Sequence, residues 1–174
     1  MDESAKLARF EQTMVPHLKA AYNLAMWLSR NPHDAEDLVQ EAYVKALRYF
    51  DGFRGEDGRA WLLAIVRNTC LTWLRRTKSV EQAEPFDERL HGGGEAADPE
   101  AMLMSEFHAG SVRDCIEALP LEYREAIILR EIEEMSYKEI AEVTSIPTGT
   151  VMSRLARARK RLGDCLKSRR GERL

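Results

Sequence analysis

The sequence predicts an all-α protein of two small helical domains joined by an acidic flexible linker. Three observations predict it. Helical periodicity runs through most of the 174 residues, and strand alternation is nearly absent. The periodicity lapses between Ser79 and Pro99, where Pro85, Gly92-Gly93-Gly94 and Pro99 break helices. Charge is also divided along the chain, and the formal net of −3 conceals the division. From Ser79 to His108 eight acids face Arg89 alone, a net of −7, whereas from Ser145 to Leu174 nine bases face two acids, a net of +7.

The periodicity places helices at about 6–29, 32–50 and 58–77 before the linker. After it, helices are predicted at about 107–118, 121–133, 137–144 and 149–168. The domains are therefore drawn at 1–78 and 107–174, with the acidic linker at 79–106. Asn31-Pro32 is a helix start, a capping side chain followed by proline at the first helical position. Asp51-Gly52 and Gly55-Glu56-Asp57-Gly58 punctuate the next junction.

Composition narrows the function classes. With 44% hydrophobic and 32% charged residues, the chain suits a soluble globular protein. Apolar runs such as Ala60 to Val66 fall far short of the about 20 residues a bilayer span needs. Met1-Asp2-Glu3-Ser4 is acidic and no apolar stretch follows, so no secretory signal, no membrane insertion and a cytoplasmic location are expected. Cys70, Cys115 and Cys165 are odd in number, widely spaced and set among apolar residues. They are expected to be small core residues rather than a disulfide framework or a zinc site. His17, His33, His91 and His108 are scattered, without metal-ligand spacing, so neither a metal nor another cofactor is expected.

The C-terminal pattern carries chemistry. Ser136-Tyr137-Lys138-Glu139 reads as a capping box, and a short helix follows from Lys138 to Val143. Pro147 stops that helix from continuing, and Thr148 is the expected cap of the next one. A short helix, a tight turn and a longer basic helix is helix-turn-helix order. On the long helix Val151, Leu155, Ala158 and Leu162 share one face. Arg154, Arg157 and Arg161 gather on another side, with Thr150 and Ser153 near the N-terminal end. Hydroxyls and forked donors in front of an apolar back suit base edges in a major groove. Arg159, Lys160 and Lys167 flank them as expected phosphate contacts. A charge run alone is usually only a wetted face; the capped turn and the segregated arginines together favour duplex DNA.

The N-terminal half gives two further patterns. Asp34 and Glu36 near a helix start compensate the macrodipole. Asp37, Gln40, Glu41 and Lys45 instead form a polar stripe opposite Leu38, Ala42, Ala46 and Tyr49, which are expected to look inward. Such a stripe is either a wetted face or a partner site. The helix over 58–77 is apolar almost all round, so it is expected to be buried by neighbours. Its polar exceptions, Arg67 and Asn68 and then Arg75, Arg76 and Lys78, suit a phosphate backbone, and residues 51–78 carry a net of +3. Trp61 and Trp73 either stack on unpaired bases or belong to the core, with the core favoured.

These residues resemble a known family. Asp34-Ala35-Glu36-Asp37-Leu38-Val39-Gln40-Glu41-Ala42, Phe53-Arg54-Gly55, Ala60-Trp61-Leu62 and Arg67-Asn68 are similar to region 2 of extracytoplasmic-function sigma factors. Ala118-Leu119-Pro120, Arg124-Glu125-Ala126, Ser136-Tyr137-Lys138-Glu139-Ile140-Ala141 and Pro147-Thr148-Gly149-Thr150-Val151, with Ser153-Arg154 and Ala158-Arg159, resemble their region 4. Two motif sets in order span nearly the whole chain. The resemblance implies that Asp37, Gln40, Glu41 and Lys45 dock on core RNA polymerase. It implies that the 51–59 loop, with Arg54, Arg59, Arg67, Asn68, Arg75 and Arg76, captures a flipped base and backbone of the single-stranded −10 element. It implies that Thr150, Ser153, Arg154, Arg157, Lys160 and Arg161 read the duplex −35 element, and that a separate anti-sigma factor restrains the protein. It also implies that the acidic linker threads toward the RNA path of the polymerase. One departure is plain: where family members often carry a base directly before Ser-Arg, this chain has Met152.

Two other classes compete. An ordinary helix-turn-helix regulator would have a sensor or dimerisation domain at its N-terminus and would bind duplex DNA tightly by itself. A helical enzyme would need a nucleophile–base pair, ligand spacing or a phosphate loop, and the sequence offers none.

Overall fold

Pro16 divides the first predicted helix. A proline lacks the N–H that helix continuation needs, and its ring crowds the preceding turn. The chain therefore runs as α1 (Glu3–Met14), a 3₁₀ turn (Val15–His17) and α2 (Leu18–Ser29) instead of one helix over 6–29. The computed structural model describes residues 2–55, 57–83 and 104–171. Its element order continues with α3 (Pro32–Arg48), a 3₁₀ turn (Phe50–Gly52) and α4 (Gly58–Ala83). The second half comprises α5 (Met104–Glu117), α6 (Leu121–Ile127), α7 (Tyr137–Thr144) and α8 (Thr148–Gly171), without a strand among the described residues. The glycines, Pro85, Pro99 and most of the acids of the predicted linker lie outside the described residues. So do Glu172 and Arg173.

Local chemistry sets each junction. α2 ends on Arg30 in the left-handed region, whose N–H reaches Met26 O at 2.8 Å. Asn31 Oδ1 then accepts from the amides of His33 (2.9 Å) and Asp34 (3.1 Å), with Pro32 at the first helical position. Asp57 Oδ1 accepts from Ala60 N at 3.1 Å and starts α4 in the same way. In the second half α6 widens into a π turn over Ile128–Ile132, and Glu134, at φ 55°, turns the chain toward α7. Ser136 and Glu139 form the predicted capping box, each side chain accepting from the other's amide at 3.1 Å. α8 starts from Pro147, whose carbonyl accepts from Thr150 N and Val151 N; Thr148 is already inside the helix rather than its cap.

α2, α3 and α4 pack on one another, with α1 against α4. Ala35, Leu38, Val39, Ala42 and Ala46 of α3 are buried, matching the period of an amphipathic helix. Tyr49 departs from the expectation. It is 60% exposed, because it lies past the last turn of α3, where the helical phase no longer points it inward. α4 buries Ala60, Leu62, Leu63, Val66, Thr69 and Cys70, and Trp61 and Trp73 pack on the core's margin. Trp61 lies 5.1 Å from the Phe53 ring, so its contacts are those of a core aromatic.

In the second half α8 packs on α5, α6 and α7 through Val151, Leu155 and Ala158. Arg124 is buried and spends Nη1 on the carbonyls of Glu117 (3.1 Å) and Leu119 (3.3 Å), closing the end of α5. Burial lowers its guanidinium to about 10.

Two of the three cysteines contradict the sequence expectation. Cys115 and Cys165 form a disulfide, with their Cα atoms 5.8 Å apart. Fifty residues separate them, so the bond is a product of α5 packing along α8, and spacing alone carried no sign of it. Cys70 is the expected buried free thiol.

Candidate nucleic-acid interface

The exposed side of α8 is set by its buried one. With Val151, Leu155 and Ala158 inward, the opposite face presents Gly149, Ser153, Ala156, Arg157 and Lys160, all exposed. Arg157 and Lys160 form no ion pair among the described residues. Four other bases of the helix, Arg154, Arg159, Arg161 and Arg169, are engaged within the same half. Arg154 Nη2 stands 3.7 Å from Glu122 Oε2, and the Arg161 guanidinium lies over the Tyr123 ring at 5.1 Å. Arg159 binds Glu131 at 2.8 Å, a bond that raises its guanidinium, and Arg169 binds Asp114 at 3.1 Å. Thus the six predicted reading residues do not form one free cluster. Ser153, Arg157 and Lys160 face outward, Thr150 sits half-buried beside them, and Arg154 and Arg161 lean onto α6. Met152 is 53% exposed, so it does not pack into the domain.

On α3, Asp37, Gln40 and Glu41 are exposed as predicted, and Lys45 folds back on Glu41 at 3.0 Å. Sequence reasoning missed Val44. It is 59% exposed in the middle of the same stripe, and a helical wheel that admits apolar members finds it between Gln40 and Glu41. The stripe is therefore polar with an apolar centre, which is more like a contact surface than a purely wetted face.

The residues of the 51–59 loop and α4 divide again. Arg54, Asn68, Arg75 and Arg76 are exposed. Arg59 and Arg67 instead reach across to the second half. Arg59 Nη1 donates to Glu133 O at 3.0 Å and its Nη2 to Glu139 Oε2 at 3.1 Å. Arg67 donates through Nε and Nη2 to the two oxygens of Glu125, at 2.7 and 3.0 Å. Asn23 of α2 adds a bond to Glu133 Oε1 at 3.3 Å. A cavity of about 490 Å³ lies at this seam. Phe53, Arg54, Asp57 and Trp61 line one side of it, and Glu139 and Glu142 the other. Gly55, at φ +82°, turns the loop that forms the cavity's rim, a conformation that L side chains rarely adopt.

Glu139 thus has two tasks. Its Oε1 caps α7 and its Oε2 holds Arg59. Burial alone would raise its carboxyl, but the Ser136 amide and the Arg59 guanidinium outweigh that and hold it down at about 2. From sequence Glu139 was legible as a capping residue only, and nothing marked Glu125 or Glu133 as partners of the arginines.

Similarity to known proteins accords with both halves. Residues 14–80 match the family model described as Sigma-70 region 2, and residues 109–162 match that described as Sigma-70, region 4. The chain is 41% identical over 135 residues to the ECF RNA polymerase sigma-E factor of Escherichia coli K12, covering 73% of this chain and 71% of the relative. It is 30% identical over 164 residues to the ECF RNA polymerase sigma factor SigE of Mycolicibacterium smegmatis, covering 94% of this chain but 64% of that one. Among solved structures, the sigma factor RpoE from Bartonella quintana, in co-crystal with the anti-sigma factor NepR, is similar with a TM-score of 0.76 and 30% identity. That likeness covers 91% of this chain and 97% of that one. CnrH, in complex with the cytosolic domain of CnrY, shares the fold with a TM-score of 0.65. With both regions matched in order and the helix-turn-helix in place, the chain belongs to the extracytoplasmic-function family of RNA polymerase sigma factors.

Proposed function

We propose that this chain is a promoter-specificity subunit of bacterial RNA polymerase, with no catalysis of its own, acting in the cytoplasm. Residues 1–78 dock on core polymerase through Asp37, Gln40, Glu41 and Lys45, with Val44 as an apolar contact at the centre. The loop at 51–59 and the face of α4 take single-stranded DNA of the −10 element, with the seam cavity as the place for a flipped base. Residues 107–174 present α8 to the duplex −35 element, and residues 79–106 connect the two. Ser153, Arg157 and Lys160 read base edges, and Arg154 and Arg161 fix the helix on its domain while reaching the backbone.

The observation that carries this reading is the outward face of α8. A capped helix-turn-helix leaves the Arg157 guanidinium and the Lys160 ammonium without an ion pair among the described residues on the side opposite the core, with the exposed Ser153 hydroxyl, which donates to Thr150 O at 3.1 Å, beside them. Exposed bases alone would suit a wetted face; their place on the second helix of a capped helix-turn-helix is what favours duplex DNA. A separate protein inhibitor belongs to the same reading, by analogy with the relative solved with an anti-sigma factor.

The test is transcription in vitro with purified core polymerase on fragmented genomic DNA. Promoter-dependent starts that require the chain are expected. Absence of starts, together with no co-purification with core polymerase, would sink the reading.

A further inference from the structure

Met152 is the one large apolar side chain that α8 leaves exposed among the described residues. Val151 and Leu155 are buried, and Leu162 and Leu166 are half-buried. At about 100° per residue, Met152 and Arg157 stand on opposite flanks of the outward face, about 140° apart. Ser153, Ala156 and Lys160 lie between them, all exposed. Met152 and Ala156 are four residues apart and so are neighbours on the helix surface. The outward face therefore has two unlike edges, one carrying the Arg157 guanidinium and one apolar.

The apolar edge is chemically committed. A thioether donates no hydrogen bond and accepts only weakly. Against the amino group of adenine or cytosine, or against guanine N7 and O6, it strips water from polar atoms and returns nothing. Against phosphate it offers no charge. The apolar group that the base edges expose in a major groove is the C5 methyl of thymine. An unbranched, polarizable side chain can adapt its tip to such a group.

We infer that Met152 is a specificity-determining residue, which recognises a thymine methyl in the promoter duplex and disfavours guanine or cytosine at the same place. The inference rests on the reading of α8 as the −35 helix. Duplex DNA is favoured over a protein partner because the same stretch of helix carries Arg157 and Lys160 outward, without an ion pair among the described residues. A surface drawn into the groove by those cations takes Met152 with it. A helix with its side chains is about 10–12 Å across and nearly fills a groove about 12 Å wide, so both flanks meet the groove. Arg157 and Met152 thus address opposite sides of it, one by hydrogen bonds and one by apolar contact.

The test uses the full chain bound to core polymerase. Duplexes are selected from a library randomised over the −35 region, and each thymine of the selected sequence is then replaced singly by deoxyuridine. That exchange removes the methyl and keeps the base pair. Wild-type holoenzyme should lose about fourfold in affinity at the thymine that Met152 meets, the worth of one buried methyl group. Met152→Ala should keep the fold, since the side chain is exposed and alanine favours helix, and should bind the thymine and deoxyuridine duplexes alike. Met152→Leu should retain most of the sensitivity. Met152→Arg should lose it, bind every duplex more tightly and steepen the salt dependence by about one phosphate contact.

Indifference of the wild type to every deoxyuridine would overturn the inference. So would methyl sensitivity that persists unchanged at every thymine in Met152→Ala. Unchanged sensitivity together with weaker association of Met152→Ala with core polymerase would assign the side chain to a protein contact instead. Failure of the chain to join core polymerase would remove the sigma reading. The same selection with the chain alone at low salt then decides the methyl contact by the same comparison of Met152 with alanine, so the two failures are distinguishable.

Discussion

Cys115 and Cys165 join the end of α5 to the last third of α8, and the ion pair between Asp114 and Arg169 lies beside that bond. The far part of the helix that presents the DNA-reading face is thereby fixed to the first helix of its own half. The link closes a loop of fifty residues. On chain-entropy reasoning, a loop of that length contributes about 4 kcal/mol by restricting the unfolded chain. Urea unfolding with and without a dithiol reductant should show a difference of that order. An equal midpoint under both conditions would mean that the bond does not form in solution.

Thiol counting checks the same point by another route. Burial pushes the Cys70 thiol up to about 12, so at neutral pH almost no thiolate is present to react. Native protein should resist iodoacetamide. Unfolded without reductant it should take up one label, and after reduction three. Mass spectrometry reads the count directly, and rapid labelling of the native protein would place Cys70 outside the core.

Glu139 predicts an acid limb. Its folded pKa of about 2 is below the ordinary carboxylate value of about 4.3, so the unfolded chain binds the proton more tightly. The stability it contributes is fully present above about pH 4.3 and is lost as pH falls from there toward about 2. Thermal melts across this window should decline for the wild type and decline less steeply for Glu139→Gln. Identical slopes would show that Glu139 is not held by Ser136 and Arg59.

The division of the α8 arginines makes a contrast in DNA reading. Arg157→Ala should cost about 1–3 kcal/mol of −35 recognition and relax preference at one base pair. Arg154→Ala, already engaged with Glu122, should cost less and weaken all sequences alike. Polymerase carrying each variant, assayed on a set of singly altered duplexes, separates the two. A uniform loss for Arg157→Ala would make it a phosphate contact instead.

On α3, Gln40→Ala with Glu41→Ala should weaken association with core polymerase and spare the fold, since both side chains are exposed. Native gel titration measures the first and the melting temperature the second. A fall in melting temperature with unchanged association would return the stripe to an ordinary wetted surface.

The helices were legible because their signals are local. The Asn31-Pro32 start, the Ser136–Glu139 box and the buried period of α3 all depend on residues within a turn or two of one another. The break at Pro16 was equally local, and the long apolar pattern around it masked it. What escaped the sequence depends on distant partners. Nothing near Cys115 announces Cys165, and nothing in the Arg67-Asn68 pair announces a carboxylate on another helix. The candidate site was legible as a list of residue types, but its division into free and engaged arginines required Glu122, Glu125, Glu131 and Glu139 to be placed in space.

The carboxylates that meet Arg59 and Arg67 also limit how freely the two halves can be recombined. A C-terminal half grafted onto another N-terminal half brings Glu125 with it as an unanswered buried charge, unless the new host supplies a cation at the position of Arg67. Leaving a buried partner unpaired costs about 3–5 kcal/mol, enough to favour a permanently open chimera. DNA-reading specificity is thus not a freely portable cassette in this chain. It is inherited together with the arginines of α4, and the two must change in step.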